Sequence, residues 1–259
     1  MRIRLTLDHP PHQVLPINYN YLISSWIYRT LAKADQGFSK WLHEQGFGFQ
    51  GRTYKLFTFG QLKPKRYEMH HQNATFSLAE GPTELEISFY LDEGLEHFIL
   101  GLFDEQTFEL KSGQFLARCQ VRDMEVLPSP SFTNNMRFRC NSPICISQRA
   151  ADQKYASYLS PEQQGYGELM VRNLLNKQSA FALQTEGVNN ISAEVDFDFR
   201  FDLRSRPHSK LISVKGTKMR AYLFEFELQA PIELLKMGYF AGFGEKNSSA
   251  GMGLVSLKS

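Results

Sequence analysis

The chain has 259 residues, of which 42% are hydrophobic and 22% charged, a composition typical of a globular protein with one large or two ordinary domains. The 29 basic and 27 acidic residues give a formal net charge of +2, which is too small to indicate nucleic-acid binding by itself. The sequence contains no apolar run long enough for a membrane span or a signal peptide, and its three cysteines form no CxxC pair. We therefore expect a cytoplasmic protein that does not enter a membrane, with no disulfide framework, metal site or cofactor.

The first half of the chain is predicted to have the order β-α-β-β-α-β. Ile3, Leu5 and Leu7 alternate with polar residues, as on a half-buried strand, and apolar pairs at helical spacing run from Tyr19 to Ala34. The same patterns predict a helix, three strands, a helix and two strands at Phe38–Glu44, Tyr54–Phe59, Thr75–Leu78, Leu85–Tyr90, Glu93–Phe103, Phe108–Leu110 and Phe115–Val126. With added elements, this order is that of a ferredoxin-like unit.

The second half is predicted to repeat that order after a linker at Pro128–Ser131. The predicted strands and helices are a strand at Phe132–Cys140, a helix at Pro161–Phe181, strands at Val195–Phe201 and Lys218–Leu228, a helix at Pro231–Phe240 and a strand at Leu254–Leu257. The sequence thus predicts an α+β fold of two tandem ferredoxin-like (RRM-like, βαββαβ) domains, residues 1–127 and 131–259.

A glycine-rich stretch, Gly242–Gly253, lies close to the end of the chain and contains one cation, Lys246. Glycine permits backbone turns with positive φ, and successive N–H groups in such turns can bind an anion. A nucleoside triphosphate is disfavoured, because phosphate loops run strand, loop, helix, whereas a helix precedes this stretch and a strand follows it. Two interpretations remain: an anion-binding loop, or a tightly packed turn that binds nothing.

A local excess of positive charge lies between Arg200 and Arg220. Asp202 is the one acid there, against seven cations, Arg200, Arg204, Arg206, Lys210, Lys215, Lys218 and Arg220. Such a segment is typical either of phosphate-backbone binding or of a solvated hairpin.

Tyr28, His43 and Lys55 fall at the ends of the first two predicted helices and in the strand after them. Each has an ordinary interpretation, as a core aromatic, a solvated residue at a helix end and a surface lysine. Their spacing does not establish whether they meet in space.

Two sets of segments resemble the endoribonucleases that process CRISPR repeat RNA, within the repeat-associated mysterious protein superfamily. The first set is Trp26-Ile27-Tyr28, Trp41-Leu42-His43-Glu44 and Lys55-Leu56-Phe57-Thr58-Phe59. The second set is Leu235–Tyr239 and the glycine motif Gly242–Gly253, in which six residues separate Gly244 from Gly251 where five are expected. The resemblance spans the whole chain and agrees with the two-domain order.

The resemblance implies that the protein cleaves precursor CRISPR RNA within its repeats without a metal. The ribose 2′-OH would attack the adjacent phosphate, leaving a 2′,3′-cyclic phosphate and a 5′-OH. Tyr28 would position or deprotonate the 2′-OH, His43 would act as general acid or base, and Lys55 would stabilise the phosphate charge. These residues would belong to the first domain.

The implied RNA-binding residues lie in the second domain. They are Gly242, Gly244, Lys246, Asn247, Ser248, Gly251, Gly253, Arg204, Arg206, Lys215, Lys218 and Arg220. The expected partners are CRISPR repeat RNA and other CRISPR effector subunits, with the protein a monomer or homodimer. The competing interpretation is a non-catalytic RNA-binding subunit on the same fold, because a fold alone does not determine activity.

Overall fold

The structure is a computed structural model that describes residues 1–149, 156–187, 195–214 and 216–258. Its first half contains the helices α1 (Asn20–Ala34), α2 (Gln36–Glu44) and α3 (Asp92–Asp104). The strands of this half are β1 (Arg2–Asp8), β2 (Gln13–Pro16), β3 (Phe47–Phe49), β4 (Arg52–Tyr54), β5 (Phe57–Phe59), β6 (Lys63–Pro64), β7 (Tyr67–His70), β8 (Thr75–Leu78), β9 (Thr83–Phe89), β10 (Thr107–Ser112) and β11 (Phe115–Leu127).

The main sheet of the first half has the strand order β10-β11-β1-β9-β5, with β6 also paired to β9. Strand β1 is central and antiparallel to both neighbours, with Ile3 opposite Ile87 and Leu5 opposite Leu85. The alternating apolar residues of β1 are fully buried, as their period of two predicts. Trp26 of α1 stacks on Phe108 of β10, so the helices cover this sheet.

The second half repeats the arrangement with different lengths. Its helices are α4 (Tyr166–Thr185), α5 (Ile232–Ala241) and the single turn α6 (Asn247–Ala250). Its strands are β12 (Asn135–Cys140), β13 (Ser147–Gln148), β14 (Ser157–Tyr158), β15 (Arg200–Leu203), β16 (His208–Val214), β17 (Thr217–Leu223), β18 (Glu225–Gln229) and β19 (Val255–Leu257). The sheet order is β15-β18-β12-β19.

Both sheets have the ferredoxin-like arrangement. In the first, β11-β1-β9-β5 places the fourth, first, third and second strands of the unit side by side. In the second, β19-β12-β18-β15 is the same sequence of positions. The protein therefore has two tandem ferredoxin-like units, which confirms the predicted fold class. The first sheet ends at Leu127 and the second begins at Asn135; the domain limits 1–127 and 131–259 stay a prediction.

Several predicted elements differ from the observed ones in their bounds. The predicted strand Tyr54–Phe59 is broken, because Leu56 adopts a left-handed conformation (φ 52°) that no strand continues through. The predicted helix at Pro161 begins at Tyr166, because Gly165 (φ 83°) precedes it in a left-handed conformation.

The two alternating runs of the second half also differ from the predicted strands. In the run Val195–Phe201 the strand begins at Arg200, and Val195 packs against the core without a strand ladder. The run Lys218–Leu228 is divided at Phe224 into β17 and β18, which belong to different sheets. An alternating pattern reports which face is buried and does not report the pairing partner.

Buried apolar residues of both halves form one continuous cluster. A smaller cluster, which includes Cys145, Ile212, Met219 and Met252, lies under the hairpin of β16 and β17. The two units thus share a core at their junction. In the described residues, no helix is long and apolar enough to cross a membrane.

Candidate active site

Tyr28 and His43 meet between the first two helices. Asp35 ends α1 and caps α2 through its carboxylate, which accepts a hydrogen bond of 2.8 Å from the N–H of Phe38. The hydroxyl of Ser39 then donates to the carbonyl of Tyr28 at 2.9 Å. This tight connection brings the two rings edge to face, with centroids 4.8 Å apart and planes at 89°.

Lys55 approaches Tyr28 and His43 from the break in the predicted strand Tyr54–Phe59. It lies between β4 and β5, next to the left-handed Leu56, and such irregularities in a strand redirect side chains. Its side chain passes over Gly46, two residues beyond α2, where a Cβ would stand 3.0 Å from the Lys55 Nζ. Burial lowers the pKa of Lys55 to about 8.

Tyr28 is tied to the glycine-rich stretch as well as to His43. Its hydroxyl forms a hydrogen bond with the side chain of Ser248. Burial is the larger effect and raises the pKa of Tyr28, while this hydrogen bond acts in the opposite direction. The phenol is therefore neutral near pH 7, which favours hydrogen bonding over proton removal as its role.

A cavity of about 440 Å³, named here the Tyr28 cavity, joins these residues. Both units contribute to its wall, which consists of Tyr21, Ser24, Ser25, Tyr28, His43, Lys55, Val214, Ser248 and Ser249. The three candidate catalytic residues, whose spacing in sequence left their meeting open, thus line one cavity at the junction of the units. Val214 and Ser249 were not singled out from the sequence, because their roles depend on contacts between distant segments.

The glycines of the terminal loop pack closely against the protein's own atoms, and their contact with RNA stays a prediction. All four, Gly242, Gly244, Gly251 and Gly253, are buried and have positive φ. A Cβ on Gly251 would stand 2.4 Å from the ring of Phe59, and one on Gly253 would stand 2.0 Å from the carbonyl oxygen of Phe243. Close internal packing therefore requires glycine here.

The side-chain amide of Asn247 is hydrogen-bonded within the loop and to α4. Its Nδ2 donates to the carbonyl oxygens of Phe243 and Met252 at 3.1 and 2.8 Å, and its Oδ1 accepts from Lys177 at 2.8 Å. Direct contact of this amide with RNA is therefore disfavoured. Of the predicted loop residues, Lys246 is exposed and Ser248 half-buried.

Lys177 of α4, which the sequence analysis missed, anchors this loop. It is 3% exposed, and its ammonium also donates to the carbonyl oxygens of Gly242 and Gly244 at 2.6 and 2.8 Å. Burial lowers the pKa of Lys177 to about 7, and the charge of Glu245 opposes that shift. The available signal was its helical spacing with Met170 and Leu174, which places a lysine on an apolar helix face.

The basic segment forms the β16–β17 hairpin and the chain leading to it. The N–H of Ser213 donates to the Oδ1 of Asn18 at 3.0 Å, which fixes the hairpin tip to the first unit beside the Tyr28 cavity. The predicted RNA-binding residues Arg206, Lys218 and Arg220 are exposed, and Lys215 lies outside the described residues. Arg204 differs, because Glu227 accepts two hydrogen bonds from its guanidinium, at 3.0 and 2.8 Å.

Both halves of the chain match models of the same protein family. Residues 14–120 match the family model described as CRISPR-associated protein Cas6, N-terminal, and residues 127–257 match that described as CRISPR associated protein Cas6, C-terminal.

Individual relatives agree with the family models. The chain is 28% identical over 258 residues to the CRISPR-associated endoribonuclease Cas6 1 of Methanocaldococcus jannaschii, covering 98% of this chain and 92% of the relative. It is 24% identical over 245 residues to the CRISPR-associated endoribonuclease Cas6 of Pyrococcus furiosus, covering 94% and 84%.

Solved structures show the same fold. A structure described as CRISPR associated protein Cas6 superposes with a TM-score of 0.75 and 27% identity, covering 100% of this chain and 99% of the other. That of a Cas6-related gene product from Pyrococcus furiosus gives 0.79 and 23%, covering 100% and 98%. The resemblance seen in the sequence is confirmed. Since the two family models together cover nearly the whole chain, the protein belongs to the Cas6 family of CRISPR-associated proteins.

Proposed function

We propose that this protein is a metal-independent endoribonuclease that cuts precursor CRISPR RNA within its repeats. The observation that supports this most is the Tyr28 cavity, in which a phenol, an imidazole and an ammonium group face one space. Two relatives that align over most of the chain are named CRISPR-associated endoribonucleases.

The proposed reaction uses the RNA's own 2′-OH as the nucleophile. The 2′-oxygen forms a bond to the adjacent phosphorus, the bond to the 5′-oxygen of the next nucleotide breaks, and the 2′-OH proton is lost while the leaving oxygen gains one. The products are a 2′,3′-cyclic phosphate and a 5′-OH. Proton transfer, positioning and charge stabilisation suffice for such a step, and side chains can supply all three.

Each of the three candidate catalytic residues has one role in this proposal. His43 is exposed at the cavity, where its imidazole exchanges a proton with a reacting oxygen. Lys55 stabilises the charge that grows on the phosphate oxygens. Tyr28, with its raised pKa, positions the 2′-OH through a hydrogen bond and is not the base.

The RNA strand runs, in this proposal, from the cavity across the exposed cations of the second unit. Lys246 and Ser248 lie on the terminal loop, and Lys218 and Arg220 lie on the hairpin beside the cavity. Phosphate contacts of this kind fix the register of the strand. The loop glycines and Asn247 contribute indirectly, because they shape the backbone that carries Ser248.

The direct test is cleavage of the repeat RNA from the protein's own genomic array in the presence of EDTA. We expect a single cut per repeat, unchanged by the chelator, with a cyclic phosphate at the 3′ end of the upstream product. Loss of activity in EDTA would overturn the metal-independent chemistry. Tight binding without any cut would instead support the non-catalytic RNA-binding alternative.

Substitution of His43 tests the assignment of the proton-transfer group. His43→Ala should slow single-turnover cleavage by roughly 10²–10⁴-fold, the usual contribution of a positioned acid or base. His71→Ala is a matched control, since His71 is an exposed histidine outside the cavity. A wild-type rate for His43→Ala would remove this residue from the mechanism.

A further inference from the structure

A second cavity, named here the Asn173 cavity, adjoins the Tyr28 cavity. Its volume is about 460 Å³, and Lys55, Ser248 and Ser249 line both cavities. A group bound in one therefore lies directly beside a group bound in the other. The wall of the Asn173 cavity combines exposed residues at its rim, Arg52, Thr53 and Lys246, with buried ones on its floor, Tyr54, Phe57 and Asn173.

Asn173 is a buried polar residue on that floor. It is 7% exposed, and its side-chain oxygen is closed to solvent without a hydrogen-bond partner in the part of the chain that the structure describes. Buried amides are almost always hydrogen-bonded, because an unpaired polar atom costs free energy. An amide can turn to present either its oxygen or its nitrogen, so Asn173 can both accept from and donate to a ligand in the cavity.

The charges around the cavity favour an anionic ligand. Arg52 and Lys246 stand at the rim and Lys55 at the boundary with the Tyr28 cavity. Glu245 is the acid in this lining, and it is engaged by the hydroxyl of Ser147 at 2.8 Å and by Arg52 at 3.9 Å. Lys177 also borders the cavity, but its ammonium is occupied by the loop carbonyls. The cations Arg52 and Lys246 are thus at the rim, with Arg52 only loosely paired to Glu245, and the neutral amide of Asn173 is at the floor.

We propose that the Asn173 cavity is a nucleotide subsite that holds one unpaired nucleotide of the RNA next to the cleaved phosphate. The base enters between Tyr54 and Asn173, the amide pairs with the donor and acceptor on its edge, and Arg52 and Lys246 bind its phosphate. Splayed bases in single-stranded RNA are recognised in this way, by aromatic contact and hydrogen bonds to the base edge. The inference rests on the proposed function, since it takes RNA as the ligand.

The test is a scan with abasic nucleotides in the repeat RNA, made uncleavable by a 2′-deoxy residue at the cut. Each position flanking the cut is replaced in turn, and affinity for wild-type protein and for Asn173→Ala is measured by fluorescence anisotropy. We expect one position at which loss of the base weakens wild-type binding about tenfold. Asn173→Ala should bind intact RNA about tenfold more weakly than the wild-type protein does. Removing the base at that position should then weaken its binding little further.

Two further variants keep the result interpretable. Asn173→Leu keeps the branched shape and the number of side-chain heavy atoms but removes the hydrogen-bonding groups, and it is used if the alanine variant lowers the melting temperature strongly. Ser179→Ala, a buried polar residue of the same helix that does not line the cavity, should keep the wild-type dependence on the base at every position. Equal abasic penalties in wild-type and Asn173 variants at every position would overturn the subsite.

Cleavage of ordinary repeat RNA by the wild-type protein separates this inference from the proposed function. RNA that is cut without any base position that depends on Asn173 overturns the subsite alone. RNA that is bound with such a position but never cut supports the subsite and overturns the nuclease proposal. Absence of RNA binding overturns both.

Discussion

Two lysines show how the surroundings of an ammonium group decide its role. Lys177 has three acceptors within hydrogen-bond distance, so its three N–H donors are used and it holds the terminal loop. Lys55 is half-buried, and among the described residues its ammonium has no hydrogen-bond or ion-pair partner. The first lysine is saturated by the protein, whereas the second is available to a phosphate.

The lowered pKa of Lys55 predicts how activity depends on pH. With a pKa of about 8 in the free protein, the ammonium loses its proton as the pH rises through 8, and the charge proposed to stabilise the phosphate is lost. We expect kcat/KM to fall above about pH 8, because kcat/KM reports the free enzyme. The fall in kcat should lie at higher pH, since bound phosphate favours the charged lysine. Single-turnover rates across a pH series measure both.

The arginine variant tests whether Lys55 is the group whose deprotonation lowers activity at high pH. Lys55→Arg keeps its charge throughout this range, so its basic limb should move to higher pH even if its maximal rate is lower. Lys236→Arg, at a half-exposed lysine on α5 paired with Glu233, should leave the profile unchanged. A basic limb that stays in place in Lys55→Arg would assign it to another group.

At the scale of elements, the terminal loop is a rigid support whose conformation depends on close contacts. Gly253 has φ 81°, and a Cβ there would collide with the backbone oxygen of Phe243. Gly253→Ala should therefore lower the free energy of unfolding by about 3 kcal/mol or more, from left-handed strain plus the collision. Denaturant titration of the purified variant measures this loss.

A second glycine separates the cost of left-handed backbone strain from the cost of a steric collision. Gly113 joins β10 to β11 with φ 57°, and a Cβ there would meet no atom within 4 Å. Gly113→Ala should cost about 1–2 kcal/mol, the strain of the left-handed conformation alone. Equal losses of unfolding free energy in the two variants would mean that the loop relaxes around Gly253 to avoid the collision, and its proposed rigidity would be wrong.

The exposed cations of the β16–β17 hairpin predict how the affinity for RNA depends on salt concentration. Each phosphate contact that a single-stranded RNA loses should reduce the slope of log affinity against log salt by about 0.7. Lys218→Ala should show that reduction, because Lys218 is exposed on the hairpin. Arg204→Ala should change the slope less, because Glu227 and Asp202 already engage its guanidinium. Titrations of repeat RNA at several salt concentrations test both, and the reverse ranking would contradict the proposed RNA contacts of the hairpin.

The sequence predicted elements well wherever burial follows a regular period. β1 and α1 were found from their apolar spacing, and the repeated element order led to the tandem fold. The break at Leu56 was not found, because a left-handed leucine leaves no mark in the pattern of apolar residues. Likewise the partners of Lys177 could not be predicted, because they are two backbone carbonyls and one side-chain oxygen that lie 65, 67 and 70 residues away.

At the scale of the whole molecule, the site exists because the two units are fixed against each other. Tyr28, His43 and Lys55 belong to the first unit, whereas Ser248 and Val214 belong to the second. The hydroxyl of Thr58 donates to the carbonyl oxygen of Met252 at 2.8 Å, and the amide of Asn20 donates to that of Ala250 at 2.8 Å. These contacts hold the terminal loop on α1 and β5 of the first unit.

Arg2 is the buried cation of this junction. It lies on β1 and is 3% exposed, and its guanidinium donates to the carbonyl oxygens of Val255 and Tyr239 at 2.6 and 2.5 Å. It also lies 3.8 Å from the ring centroid of Tyr239. Burial lowers the pKa of Arg2, although the guanidinium stays charged. One side chain thus joins the first strand of the chain to its last strand and last long helix.

Arg2→Met should therefore weaken both stability and catalysis. Two buried carbonyl groups lose their donor, which predicts a loss of about 3 kcal/mol in the free energy of unfolding. The two halves of the site also lose their fixed register, and a displacement of about 1 Å can cost on the order of 10²-fold in rate. Arg4→Met is the matched control, since Arg4 lies on the same strand but is half-exposed and pairs only within the first unit, with Glu84, Glu86 and Glu125. Lys63 still pairs with the buried Glu86 in this variant, so we expect a cost of at most about 1 kcal/mol. Single-turnover cleavage well below each melting temperature separates the two effects, and a wild-type rate for folded Arg2→Met would show that the junction does not set the site geometry.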